Sequence, residues 1–197
     1  MVSRKPLGLT YVLYEEGSLP SKLLALATLT PIFAGVALLG ALATTRRLAW
    51  AWALIGAVLV DFACSALKEV IKQPRPEGSY REGHGMPSEH AAFCAFLAVH
   101  LSLWTWARIR CARALKALVY ATLVAWTGAV AFSRHHLGVH TPAQLAVGSA
   151  IGAVAGVAWF AIEWRCRGLF AQAQRRIDEV WAWLDVQLDG YGEKVKS

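Results

Sequence analysis

Charge is what this 197-residue chain has least of. Asp, Glu, Lys and Arg together make up 17% of it, against about 25% in an ordinary soluble domain. Cysteine is sparse and scattered: Cys64, Cys94, Cys111 and Cys166 form no C-x-x-C pair, which argues against a zinc ribbon or a disulfide framework. No H-x-x-E-H or paired-carboxylate spacing occurs, so a metal site built from His84, His90, His135, His136 and His140 is not indicated. Internal repeats and low-complexity linkers are absent, and residues 1–197 read as one domain. Nor is a cleavable leader indicated. The first apolar run begins near Lys22 and further runs follow it, so it reads as a retained helix.

Apolar length is what the chain has instead. It is 56% hydrophobic with nine Trp and a mean hydropathy of +0.42. Runs of membrane-spanning length recur at about residues 22–43, 48–67, 89–107, 115–132 and 142–162. Pro31 lies inside the first, where a kink is tolerable. Trp50 and Trp52 stand at the entrance of the second like interfacial anchors. Asp61 lies inside that run and reads as a hydrogen-bonded interhelical residue; His100, in the third, reads as a packed, hydrogen-bonded histidine. From Gly168 the pattern changes. Phe170, Ile177, Val180, Trp181, Leu184 and Leu188 recur at helical spacing against Arg175, Arg176, Asp178, Glu179 and Asp185. That segment, 168–190, is too charged to span and predicts an amphipathic helix on the membrane surface or against the bundle. The expected fold class is all-α: a polytopic transmembrane bundle of about five spans with an amphipathic C-terminal helix.

Net charge is +7, but the cations lie between apolar runs, so lipid headgroups and topology account for them rather than nucleic acid. Counting sides puts the 68–88 and 133–141 loops on one face with the N-terminus. The opposite face carries Arg46, Arg47, Arg108, Arg110, Arg113, Lys116, Arg165, Arg167, Arg175 and Arg176, ten of the twenty basic residues. By the positive-inside rule that face is cytosolic and the two special loops are extracytoplasmic.

Those loops hold the ingredients for attack on phosphorus. Lys68 and Arg75 lie seven positions apart at a helix end, with Pro74 and Pro76 turning the arginine back; Arg suits bidentate phosphate binding and Lys acts as a point charge. Ser88 is placed to cap the third span, so that N–H groups of the first turn, Glu89 included, form a phosphate seat and His90 rides on the same rim. Thr141 and Pro142 start the fifth helix immediately after His140. Gln144, four residues on, could accept from His140 Nδ1–H and leave Nε2 free to attack. Arg134 adds a third cation.

Lys68-x6-Arg75-Pro76, Pro87-Ser88-x-His90 and Ser133-Arg134-x5-His140 together resemble the three-part signature of the type-2 phosphatidic acid phosphatase superfamily. The resemblance implies that Lys68, Arg75, Ser88, Glu89 (through its backbone) and Arg134 bind phosphate. It further implies that His90 is the general acid and His140 a nucleophile forming a phosphohistidine, with no metal or other cofactor. Two positions depart from the usual pattern: Gln144 stands where Asp is common, and Glu89 where Gly or Ser is. Gln144, with Leu9-Thr10-x-Val12-x-Tyr14-x-Glu16-Gly17 and Gly85-Met86-Pro87-Ser88, is similar to the dolichyl-diphosphatase branch, over residues 9–162. That branch implies a lumenal site in the endoplasmic reticulum, or the extracytoplasmic face of the plasma membrane in a bacterium. Its reaction converts dolichyl diphosphate to dolichyl phosphate and inorganic phosphate, recycling the carrier of protein N-glycosylation. The same chemistry on undecaprenyl diphosphate, another lipid phosphate or glucose 6-phosphate is the alternative. An anion-binding transporter or inactive scaffold is a different class. Membrane lipids are the expected surroundings, and no protein partner is indicated.

Overall fold

The computed structural model describes residues 4–6 and 12–196, with side chains described for 12–187. Leu9, Thr10 and the side chain of Leu188, which the sequence reading used, lie outside the described residues. Strands β1 (Arg4–Pro6) and β2 (Leu13–Glu15) form a short antiparallel hairpin. Seven helices follow: α1 (Leu19–Ala27), α2 (Thr30–Thr45), α3 (Leu48–Ile71), α4 (Glu89–Arg108), α5 (Arg113–His136), α6 (Pro142–Arg165) and α7 (Arg167–Lys196). Among the described residues five segments are long and apolar enough to cross a membrane, α1 with α2 forming the first, and the protein is an integral-membrane helix bundle. Its large apolar side chains point outward: Phe62, Val70, Leu118, Val124 and Val154 are all exposed on the bundle surface. In water that would be a liability; in hydrocarbon it is the favourable arrangement.

Phe96 and Leu97 fill the core, and the contact between α4 and α6 beside them is built on small residues. Gly148, Gly152 and Gly156 recur every fourth residue on α6 and let its backbone approach α4; a Cβ at Gly152 would collide with the carbonyl of Ala92. This close approach of small residues is how helices associate where the solvent is as apolar as the side chains. The α4–α6 contact therefore fixes the bundle axis, and Ser88 N–H donates to the Gln144 carbonyl at 3.1 Å to set the relative height of the two helices.

Two boundaries differ from the sequence reading. The first span is broken, not kinked, between Ala27 and Thr30. Pro31, at the second position of α2, has no N–H to continue the ladder. The hydroxyl of Thr30 donates to the Ala27 carbonyl at 2.7 Å, and accepts from Trp126 Nε1 at 2.7 Å. The fourth span also runs on to His136, so Ser133 and Arg134 are the last turn of α5 rather than loop. The amphipathic tail is α7. It lies beneath the basic end of the bundle, tied by Gln174 to Leu48 N–H and the Arg46 carbonyl and by Asp185 to Arg46.

Candidate active site

One end of the bundle gathers the C-terminal ends of α3 and α5, the N-terminal ends of α4 and α6, and the 72–88 loop. That loop is folded back on itself: Pro74 and His84 form an isolated bridge, and Gly85 N–H donates to the Gln73 carbonyl at 2.8 Å. A small apolar cluster of Val12, Ala25, Leu29, Leu137 and Val139 closes this end from above.

His140 is placed by its neighbours in sequence. After α5, Gly138 takes a positive φ of 68°, a conformation natural to glycine. The chain then wraps back so that the N–H groups of Val139 and His140 both donate to the Arg134 carbonyl, at 3.1 and 3.2 Å. Thr141 and Gln144 form a reciprocal capping box at the start of α6. His140 is consequently 2% exposed and held from both sides.

Gln144, fully buried, decides the state of the imidazole. Its Oε1 lies 3.2 Å from Thr141 N and 3.2 Å from His140 Nδ1. Its Nε2 donates to the Pro74 carbonyl at 2.8 Å and to Gln73 Oε1 at 3.1 Å. A backbone N–H can only donate and a proline carbonyl can only accept, so the amide has one orientation. With Oε1 facing the ring, the proton belongs on Nδ1 and the lone pair on Nε2. A side chain at Gly85 would collide with this amide. Nε2 faces Arg75, whose Nη1 is 3.3 Å away and also donates to the Val139 carbonyl at 3.2 Å. Burial, then the cations Arg134 and Arg75, push the His140 pKa down to about 3 against an upward pull from Gln144. The ring is neutral at physiological pH. Burial and the neighbouring Arg81 hold the Arg75 guanidinium below its ordinary pKa.

A cavity of about 400 Å³ opens at the same end of the bundle, lined on its polar side by His90, Glu89, Arg134, Arg81 and Asp61 and not by His140, Arg75 or Lys68. Its apolar side is Ile32, Val58 and Phe93, reaching into the spans. Arg134 is 2% exposed; its Nη1 donates to Thr28 Oγ1 at 3.0 Å, while its Nε has no hydrogen-bond partner among the described residues. The break in the first span is what delivers Thr28 here. Asp61 is an exposed residue of this cavity rather than an interhelical hydrogen-bonding one.

Ser88 caps α4, its Oγ accepting from Ala91 N–H at 3.5 Å, and it is fully buried. The N–H groups of Glu89 and His90 are left as the open donors of that first turn. The Glu89 carboxylate turns away from them toward α3, where it accepts from Lys68 Nζ at 2.8 Å and Ser65 Oγ at 2.6 Å. Lys68, Arg75, Arg134, His90, His140 and Gln144 are thus assembled at one end, from four helices and two loops. Among the other histidines, His135 Nδ1 lies 3.3 Å from the His140 carbonyl and His84 belongs to the loop bridge. Thr28, Gln73 and Ser65 were not singled out from the sequence. They are ordinary polar residues whose role depends on which neighbour the fold supplies.

Residues 48–167 match the family described as the PAP2 superfamily. The chain is 34% identical to dolichyldiphosphatase 1 of Mus musculus over 81% of its own length and 72% of that protein's. It is 30% identical to dolichyldiphosphatase of Saccharomyces cerevisiae, over 80% and 70%. Among solved structures it resembles a transmembrane PAP2-type phosphatidylglycerolphosphate phosphatase from Bacillus subtilis, with a TM-score of 0.64 at 17% identity, covering 73% of this chain and 76% of that one. That last likeness concerns the fold.

Proposed function

We propose that this chain, which belongs to the PAP2 superfamily of phosphatases, hydrolyses dolichyl diphosphate to dolichyl phosphate and inorganic phosphate at the extracytoplasmic face of its membrane. The observation that carries the reading is the Gln144 amide, whose single orientation puts the His140 lone pair on Nε2, facing Arg75. In the first step Nε2 attacks the terminal phosphorus and the bridging P–O bond breaks. His90 gives its proton to the departing oxygen of dolichyl phosphate. In the second, His90 takes a proton from water as the water attacks the phosphohistidine, releasing inorganic phosphate and restoring His140.

Lys68, Arg75 and Arg134 hold the phosphoryl oxygens and take up charge as it develops. The open N–H groups of Glu89 and His90 act with them, and Ser88 serves by capping the helix that presents them. The unpartnered Nε of buried Arg134 supports this, since an anion would supply its missing acceptor. The apolar wall of Ile32, Val58 and Phe93 suits a prenyl chain entering from the bilayer. The basic opposite end supports an extracytoplasmic site, which in a eukaryotic cell would be the lumen of the endoplasmic reticulum.

The test is phosphate release from dolichyl diphosphate by purified protein, with a chelator present throughout, beside undecaprenyl diphosphate, a lipid monophosphate and glucose 6-phosphate. Dolichyl diphosphate should give the highest kcat/KM. Abolition by chelator would remove the metal-free mechanism, and preference for a monophosphate would remove the substrate.

A further inference from the structure

The opposite end of the bundle holds the larger cavity, about 680 Å³, between the ends of α3, α4 and α6 and the start of α7. It is remote from His140, and three features of its lining stand together. Arg47, Arg108 and Arg167 supply positive charge, Trp50 and Trp104 supply aromatic faces, and Glu163 supplies a carboxylate. The two indole rings are 5.7 Å apart between centroids. Glu163 is only 3% exposed. Its nearest nitrogen neighbours stop short of hydrogen-bonding distance: Arg108 Nη2 is 3.7 Å from Oε1, and His100 Nε2 is 3.8 Å from Oε2. Oε2 has no hydrogen-bond partner among the described residues. The sequence predicts a hydrogen-bonded His100; in the structure its Nδ1, too, lacks a partner among the described residues.

A buried carboxylate with neither oxygen hydrogen-bonded among the described residues is costly; Oε2 is turned onto His100, but Oε1, on the Arg108 side, lines a cavity large enough to admit a donor. Aromatic faces beside it favour a cation. The arginines at the rim favour a phosphate. One abundant molecule at this depth of a membrane carries a phosphate and an N–H-bearing cation a few bonds apart. We propose that this cavity binds the headgroup of an aminophospholipid of the phosphatidylethanolamine type. Its phosphate meets Arg47 and Arg167, and its ammonium meets Glu163 between the Trp50 and Trp104 rings. Phosphatidylcholine has the phosphate and the positive charge but no N–H for Oε1. Phosphatidylglycerol has the phosphate and no cation.

The measurement is lipid retention by the full chain in detergent, read by native mass spectrometry after exposure to equal amounts of the three lipids with matched acyl chains. Phosphatidylethanolamine adducts should exceed phosphatidylcholine adducts by about tenfold, the worth of one hydrogen bond to a charged group. Glu163→Gln should bring the two lipids level, while Arg47→Gln with Arg167→Gln should lower retention of all three. Equal retention by the unaltered protein overturns the proposal. So does a preference for phosphatidylglycerol that Glu163→Gln leaves unchanged, which would mean an arginine patch only. Should Glu163→Gln fail to fold, the unaltered protein against the mono-, di- and trimethylated ethanolamine lipids decides the matter. Retention that falls stepwise with the loss of N–H donors supports the site, and a flat series overturns it.

Discussion

Helix α6 buries a polar side chain at each end, and the two are in opposite condition. Gln144, in its first turn, has both amide atoms engaged, each with two partners. Glu163, in its last turn, has a carboxylate oxygen with none. Both are deep in a helix bundle, where an unmet polar group is expensive. The difference shows which end the chain completes by itself. Around Gln144 the loop 73–85 and the Thr141 cap supply every partner, so the imidazole beside it is held in one tautomer before any substrate arrives. Around Glu163 the helices diverge, leaving a cavity and an acceptor for something else to fill.

The largest effect expected at the completed end is loss of the proposed nucleophile. His140→Ala should lower kcat by more than about 10⁴-fold with the fold retained, as removal of a nucleophile does elsewhere; near-normal phosphate release would remove His140 from that role. Next is Gln144→Glu. A carboxylate there would face the Pro74 carbonyl and Gln73 Oε1, two acceptors that now receive N–H bonds. It should cost about 2–3 kcal/mol of stability, visible as a lower Tm in detergent, and the variant should be far less active. An unchanged Tm would mean the loop does not hold the amide.

The ionisation of His140 gives a prediction with a definite sign. Its folded pKa of about 3 lies below the ordinary histidine value near 6.5. The unfolded chain therefore takes up this proton first as pH falls. The contribution to stability is complete above about pH 6.5 and is lost as pH drops toward 3. Nitrogen-15 NMR of labelled histidine, assigned by comparison with His140→Ala, should show a neutral ring protonated on Nδ1 from pH 8 to pH 4. A midpoint near 6.5 would mean that the ring is not sequestered beside Arg75 and Arg134.

Smaller changes test the supporting residues. Thr28→Val keeps the shape and removes the acceptor from Arg134. It should reduce kcat/KM by about five- to tenfold, one hydrogen bond to a charged group, with little change in Tm; equal activity would make the broken first span irrelevant to the site. The mildest change is Glu89→Gln, which keeps the reach to Ser65 and Lys68 and removes one negative charge near the phosphate seat. KM should fall about two- to threefold at an unchanged kcat, in keeping with a partly screened charge pair. A collapse in kcat would instead give the carboxylate a part in holding Lys68 where the reaction needs it.

The end that holds the candidate site was the more legible from sequence, for a chemical reason. Arg, Lys and His at the edges of apolar runs are too costly to be incidental, and Ser88, Thr141 and Pro142 announce helix starts by local rules. The pairing of Gln144 with His140 follows from four-residue spacing at a capped helix start. What spacing did not reveal is how that amide meets Gln73 and Pro74, about seventy positions earlier, or how a break after Ala27 brings Thr28 to Arg134. Glu89 belongs with these: next to a phosphate seat it reads as a defect, and only the position of α3 shows it turned onto Lys68 and Ser65.

By itself the sequence determined that the chain spans a membrane with helices, which end is basic, and which cations and histidines share the other end. Apolar run length, charge asymmetry and capping are properties of neighbours along the chain, so they survive without coordinates. The tertiary structure decided the tautomer of His140, the partner of Glu89 and the unmet state of Glu163. Each depends on where helices distant in sequence come to rest. In this bundle that is set by the Gly148, Gly152 and Gly156 contact with α4, a backbone-to-backbone fit that no local pattern reports.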